Sequence, residues 1–329
     1  MTHRFNNLIT CYCSSADFQS AQVKSKRFLV VVFFGVFLIC GAAFYVHFWL
    51  SRPIGNGPAG PAISRDAFSK TWSNRQVLFV GLGDSVTAGF GARKGYSYFD
   101  RLANNPPDEF DDLRGICLKA VLPNLHYTNL SVSGSTSMEH AEKQIPRLPA
   151  AGSNVLAIVV MTTGGNDLIH NYGRTPPRDQ AMYGATFEEA KPWVAEFGQR
   201  LDSVVARLEK HFPAGCEIFL ADIYDPTDDQ GDIQHTGLPA WKDALKILAA
   251  YNDIIHKLAA KDPHVHVIDM RDCFLGHGIH CTQFWTKHYD SKDPHYWYYS
   301  NLEDPNERGY DAIRRLFLVQ IEKTFAPLK

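Results

Sequence analysis

Apolar positions along the chain fall into runs of three kinds. The longest is Phe28–Leu50, almost wholly apolar, with His47 its one strongly polar side chain. About 20 such residues cross a bilayer, and Tyr45 and Trp49 suit its interface. Short apolar runs read as strands: Gln76–Val80, the alternating stretch His126–Val132, Asn154–Met161, Glu217–Ala221 and Val265–Ile268. Helical spacing marks Ser97–Ala103, Met138–Leu148 (interrupted at Pro146), Phe187–Phe212, Ala240–Ala260 and Glu307–Phe325. In the third of these, Val194, Phe197, Leu201, Val204, Val205 and Leu208 share a face. Strands alternating with helices predict a parallel sheet with helices on both faces. Asn154–Met161 is apolar without a break, which suits a strand covered on both sides. The expected fold class is therefore α/β: an αβα sandwich on a five-stranded parallel sheet.

This divides the chain into an N-terminal segment 1–27, an apolar span 28–50, a linker 51–73 and a domain 74–329. The linker reading rests on Pro53, Gly55, Gly57, Pro58, Gly60 and Pro61. His3, Arg4, Lys24, Lys26 and Arg27 precede the span, against the single acid Asp17. Positive charge on that side predicts a cytoplasmic N-terminus and a tethered domain in the periplasm or outside the cell. A cleaved signal peptide is the rival reading. The run is long for one, however, and no A-x-A site follows it.

Composition narrows the classes further. A formal net charge of −2 over 329 residues gives no argument for nucleic acid. Of the seven cysteines, Cys11 and Cys13 fall before the span and Cys40 within it. Cys117, Cys216, Cys273 and Cys281 fall in the domain, where four cysteines allow three pairings. Cys273–Cys281 closes a short loop and is the first pairing expected. No CxxC pair with zinc-like spacing occurs, so no structural zinc is expected.

The chemistry gathers after the strands. Val77–Gly89 reads VLFVGLGDSVTAG, a strand running into glycines around Asp84 and Ser85. Asn129–Ser135 (NLSVSGS) follows the second strand, and Thr162–Asp167 (TTGGND) the third. Parallel sheets deliver such loops to one edge, where ligands bind. Acyl transfer needs a nucleophile and preorganised donors for the developing oxyanion. Ser85 supplies the first; its own N–H, Gly134 and Asn166 supply the second. Each has a plainer reading alone: Ser85 as a helix cap, Gly134 as a turn, Asn166 as a cap. Their order after successive strands favours the catalytic set. No G-x-S-x-G is present, and Val86 stands where a dinucleotide fingerprint needs its third glycine.

GDSVTAG, NLSVSGS and TGGND together resemble the first three blocks of the SGNH (GDSL) hydrolases. The resemblance implies a flavodoxin-like αβα fold, Ser85 as nucleophile, and Gly134 and Asn166 as oxyanion donors, with no cofactor. The family's last block, D-x-x-H-P-N, departs here. The matching stretch is Asn301-Leu-Glu-Asp304-Pro305-Asn306, so Asp304 occupies the histidine position and Asn301 the aspartate position. Three explanations stay open. A different histidine serves as base, with His295 first and His277 or His280 next; Asp304 itself is the base; or the domain binds a ligand without catalysis. The stretch Phe274–Cys281 resembles a loop near the site in some members, whose histidine is not the usual base and whose cysteine is commonly disulfide-bonded. A carboxylate is a weaker base than imidazole unless burial raises its pKa.

Asp222–Asp232 holds five aspartates after the fourth strand. The spacing does not match a calcium loop, so a solvated acidic loop beside the active edge is expected. The expected function is a membrane-anchored serine ester hydrolase acting on a small-molecule, lipid or acylated-glycan ester.

Overall fold

The computed structural model describes residues 15–326. Cys11, Cys13, His3 and Arg4 lie outside them. The chain divides into two units, Met1–Ser51 and Arg52–Lys329. In the first, helix α1 (Ser15–Tyr45) continues into a π-helical turn, Val46–Leu50. Lys26–Leu50 is long and apolar enough to cross a membrane.

The second unit is built on five parallel strands: β1 (Val77–Gly83), β2 (Leu125–Asn129), β3 (Leu156–Thr162), β4 (Cys216–Ala221) and β5 (Val265–Ile268). Their order, β2-β1-β3-β4-β5, is that of flavodoxin-like doubly wound sheets. Alternation along the strands splits the core in two. Phe79, Ile158 and Val160 point to one face, with α3 (Tyr98–Ala103), α4 (Leu118–Val121), α9 (Met270–Phe274) and α10 (Glu307–Phe325). Val80, Val159 and Met161 point to the other, with α7 (Phe187–His211) and α8 (Ala244–Lys261). Side chains of one strand alternate between faces, so an unbroken apolar run such as β3 must be covered twice. The remaining short helices, α2 (Ser85–Ala88), α5 (Ser137–Glu139) and α6 (Gly165–Ile169), lie in the loops after β1, β2 and β3. The chain leaves β1 for β2 on one side and returns to β3 on the other. That switch point is where the carboxyl ends of strands open a crevice.

Local structure departs from the sequence expectations in four places. Met138–Leu148 is no continuous helix: α5 passes into a π-turn, His140–Gln144, and a 3₁₀ turn, Ile145–Arg147, that carries Pro146. Residues 52–73 are packed rather than free. Ala59 and Phe68 are buried, Ala59 N donates to Asp311 Oδ2 at 3.0 Å, and Arg308 reaches the carbonyls of Ile54 and Pro58. The prolines and glycines there shape a strap over α10. The acidic loop is likewise not solvated: Asp228 is buried and accepts from the N–H groups of Gly276, Gly278 and His280. Cys273 and Cys281, expected as a disulfide, are free thiols. Cys281 is fully buried in the core. Short sequence separation does not orient two Cβ atoms toward each other.

Candidate active site

β1 delivers the first residues. It turns at Asp84 into α2, so Ser85 is the first helical residue. Gly83 sits at φ +125°, and a Cβ there would stand 2.2 Å from the Thr162 carbonyl oxygen. Only glycine lets β1 and β3 end side by side here. The Gln144 side chain clasps the same residue, accepting from Gly83 N at 2.8 Å and donating to Gly83 O at 2.7 Å. Asp84 Oδ1 caps α2, accepting from Val86 N at 3.1 Å and from the Thr162 hydroxyl at 2.7 Å. Burial pushes the Asp84 pKa up to about 6, and the charges of Asp304 and Asp167 add to the rise.

The loop after β2 places Gly134 at φ +81° with its surroundings open. Asn166 lies in α6, after β3, and its side-chain amide donates to Ser135 O at 3.1 Å. That bond ties the two loops together. Among the described residues, no acceptor takes the backbone N–H of Ser85 or of Gly134. Behind them, His140 Nε2 meets Ser135 Oγ and Nδ1 meets Thr163 Oγ1, both at 3.0 Å. Burial pushes this imidazole down to about 3, so it is neutral and acts as scaffolding. Neither His140 nor Gln144 figures in the sequence reading, because both lie outside the loop blocks.

The turn before α10 brings the fourth piece. Asp304 is buried. Its Oδ2 accepts from Asn301 Nδ2 at 2.7 Å. Its Oδ1 has no well-aligned donor among the described residues. Burial raises the Asp304 pKa above the ordinary carboxylate value; hydrogen bonding to the Ser85 and Asn301 side chains offsets part of that rise. The Asp304 carboxylate thus lies near enough to the Ser85 side chain to be influenced by it. Glu303 beside it is pushed up to about 7, by burial and then by the charge of Asp304.

The histidines lie elsewhere. His295 Nδ1 meets Asp293 Oδ1 at 2.5 Å, and Arg308 binds the same carboxylate at 2.6 and 3.0 Å. This cluster fastens the strap. His277 stacks on Trp297 with ring centroids 3.4 Å apart. His280 Nε2 meets Asp232 at 2.9 Å, and His288 meets Asp229 at the same distance. Each is engaged by another partner, and none of the four is among the residues lining the cavity at Ser85.

A cavity of about 150 Å³ opens beside Ser85. Asp84, Ser85, Asn166, Asn301 and Glu303 form its polar rim, and Leu168, Ile223, Trp241, Leu245, Leu248 and Leu302 are among its apolar walls. Among the described residues, no histidine, lysine or arginine lines it. Asp222, His256 and Asp269 bring three donor atoms within 4.8 Å, but Asp222 is already held by Arg271 N at 2.7 Å and His256 at 3.3 Å. A serine hydroxyl, a carboxylate beside it and N–H donors on two neighbouring loops are parts that an acyl-transfer site would need.

Residues 82–312 match the GDSL-like Lipase/Acylhydrolase family. No curated protein sequence matches the chain. Among solved structures it is similar to a phospholipase A1 from Streptomyces albidoflavus, at 20% identity over 76% of this chain and 100% of that one, with a TM-score of 0.47. It is also similar to an extracellular lipase from Streptomyces rimosus, at 20% identity over 75% and 99%, with a TM-score of 0.47. A catalytic mutant of an acetylxylan esterase from Geobacillus stearothermophilus gives 16% identity over 76% and 96%, with a TM-score of 0.48. Likenesses at this level carry no argument about substrate.

Proposed function

The chain belongs to the GDSL-like lipase/acylhydrolase family, and from that premise we propose that it hydrolyses carboxylic esters through an acyl-Ser85 intermediate, with Asp304 as general base. The observation that carries this reading is the buried Asp304 carboxylate beside the Ser85 side chain, held by Asn301 at 2.7 Å, while among the described residues no histidine lines the cavity that opens at Ser85.

Ser85 Oγ attacks the ester carbonyl while its proton passes to Asp304. The carbonyl oxygen takes the negative charge and is met by the N–H groups of Ser85 and Gly134 and by the Asn166 amide. As the tetrahedral species collapses, protonated Asp304 returns the proton to the departing alcohol. A water then attacks the acyl-serine, again giving its proton to Asp304, and the acid leaves with Ser85 restored. A carboxylate near 4 is a poor partner for this work, and burial that lifts Asp304 moves it toward the working pH. Asn301 takes the orienting role, donating an N–H to the base.

The second reading, a ligand-binding domain without turnover, is favoured by one observation: the residue facing Ser85 is a carboxylate and not an imidazole. A serine-directed phosphonate separates the two, because only an activated Ser85 reacts with it. Lys26–Leu50 would serve as the anchor, with the N-terminus cytoplasmic and the domain outside, where an ester of lipid, glycan or small-molecule origin is met. Protease added to intact cells should digest the domain; a domain left untouched while control exported proteins are cut would reverse the orientation. For the activity, full-length protein in detergent should turn over p-nitrophenyl esters. Ser85→Ala and Asp304→Ala should abolish turnover and His295→Ala should keep it. Loss in His295→Ala with a preserved fold would return the base to that histidine.

A further inference from the structure

The cavity beside Ser85 has a shape and chemistry that say more than its family does. We propose that it is an acyl-chain pocket, selective for uncharged esters whose acyl group has about six carbons, as the ~150 Å³ comparison below implies. This deepens the hydrolase reading and rests on it.

The first argument is size. The space amounts to about 150 Å³. An engineered cavity of about 150 Å³ lined by Leu, Ile and Phe in another protein stays dry and takes up benzene. A six-carbon chain is a comparable load; an acetyl group would leave most of the space empty, and a palmitoyl group would not fit. The second argument is the wall. Leu168, Ile223, Trp241, Leu245, Leu248 and Leu302 give a lining that is predominantly apolar. Trp241 is held rigid by its Nε1–H donating to Ala185 O at 2.8 Å. The pocket is therefore built before any ligand arrives, so little binding energy goes into ordering it. The third argument is charge. The rim carries Asp84, Asp222 and Glu303 with no described cation among the lining residues. Burial lifts Asp84 and Asp222 to about 6 and Glu303 to about 7, so at pH 8 these carboxyls are charged and would repel an anionic substrate but not a neutral acyl ester.

Leu245 is the residue chosen to adjust the length. It lies in the first turns of α8, half-buried, with its side chain against Gly231. A change there alters pocket depth with less risk to the core than a change at fully packed positions.

The test is a chain-length series of p-nitrophenyl esters, acetate to laurate, on full-length protein. Burying one methylene is worth roughly fourfold in affinity, so kcat/KM should rise on the order of 100-fold from acetate to hexanoate and fall again by laurate. Leu245→Trp should lower the hexanoate-to-acetate ratio at least tenfold, and Leu245→Ala should move the optimum to longer chains. A series that falls steadily from acetate, or a ratio untouched by Leu245→Trp, overturns the proposal. Binding is read separately on Ser85→Ala protein. Methyl hexanoate should change its tryptophan fluorescence, and the change should vanish when Trp241→Phe or Leu245→Trp is added. No change on Ser85→Ala protein overturns the pocket even if the parent hydrolyses esters. Binding without turnover by the parent keeps the pocket and sinks the hydrolase reading.

Discussion

Replacing Asp304 by Asn should remove the proposed base while disturbing little else. The side chains match in size, and the Asn oxygen can still accept from Asn301 Nδ2, now at 2.7 Å from Asp304 Oδ2. What goes, on the proposed mechanism, is the acceptor for the Ser85 proton. General-base catalysis contributes about 10²–10⁴ in rate, or about 3–5 kcal/mol of barrier at 1.36 kcal/mol per decade. Stability should move the other way. The folded pKa of Asp304 is raised, by burial first. A raised carboxyl favours the folded state at low pH, and that contribution is lost as pH climbs through the folded pKa. Asp304→Asn should therefore melt higher than the parent at pH 8 and level with it near pH 3.5. The assay is kcat/KM on p-nitrophenyl hexanoate from pH 4 to 9, with thermal melts on the same samples. The parent should gain activity with pH along a limb lying above the ordinary carboxylate range, and the variant should lack that limb. A variant within threefold of the parent at neutral pH, beside an inactive Ser85→Ala, would refute Asp304 as the base.

The same linkage applies to Asp84, whose pKa stands at about 6 against an ordinary 3.8. Asp84→Asn should raise stability above pH 6 by about 3 kcal/mol at 1.36 kcal/mol per unit, with the gain fading toward pH 4; a variant less stable at pH 8 would contradict it. Glu109 shows the opposite sign. Buried with Arg101, Arg314 and Asp311, it is drawn down to about 2 despite the cost of burial, by hydrogen bonding and charge from Arg101 and Arg314. Its contribution is held above its ordinary range and lost as pH falls toward 2. Glu109→Gln leaves the guanidinium groups undercompensated and should cost about 3–5 kcal/mol in urea unfolding. Cys273 and Cys281 are free, with burial raising both to about 12. Iodoacetamide should miss them in folded protein and label both in urea without reductant; labelling that requires reductant would restore the disulfide.

Much of the frame is legible in the chain itself. The alternating strands and the boundaries Glu307–Phe325 of α10 follow from local periodicity, and the order of loops after β1, β2 and β3 places Ser85, Gly134 and Asn166. Local pattern fails where an element's role is set from a distance. Residues 52–73 look like a spacer because proline and glycine dominate, yet Arg308 and Asp311, some 250 residues on, bind their backbone. His295 is near Asp304 in sequence, but Asp293 and Arg308 hold it at the strap. The aspartates after β4 read as solvated, yet Asp225 accepts from Thr227 and Asp229 of its own loop, and the distant partners of Asp228 and Asp229 are the N–H groups of residues 276–280 and the side chains of Arg271 and His288. The cavity is the least legible part, since its walls come from segments after four strands and from α8.

Covalent labelling of the folded protein reads out whether Ser85 is the activated nucleophile proposed for it. Full-length protein should be treated with a fluorophosphonate at pH 8, digested and mapped by mass spectrometry. One phosphonylated site is expected, at Ser85, with labelling lost in Ser85→Ala and strongly slowed in Asp304→Asn. An unlabelled Ser85 in folded protein, or labelling at the same rate in Asp304→Asn, would contradict it.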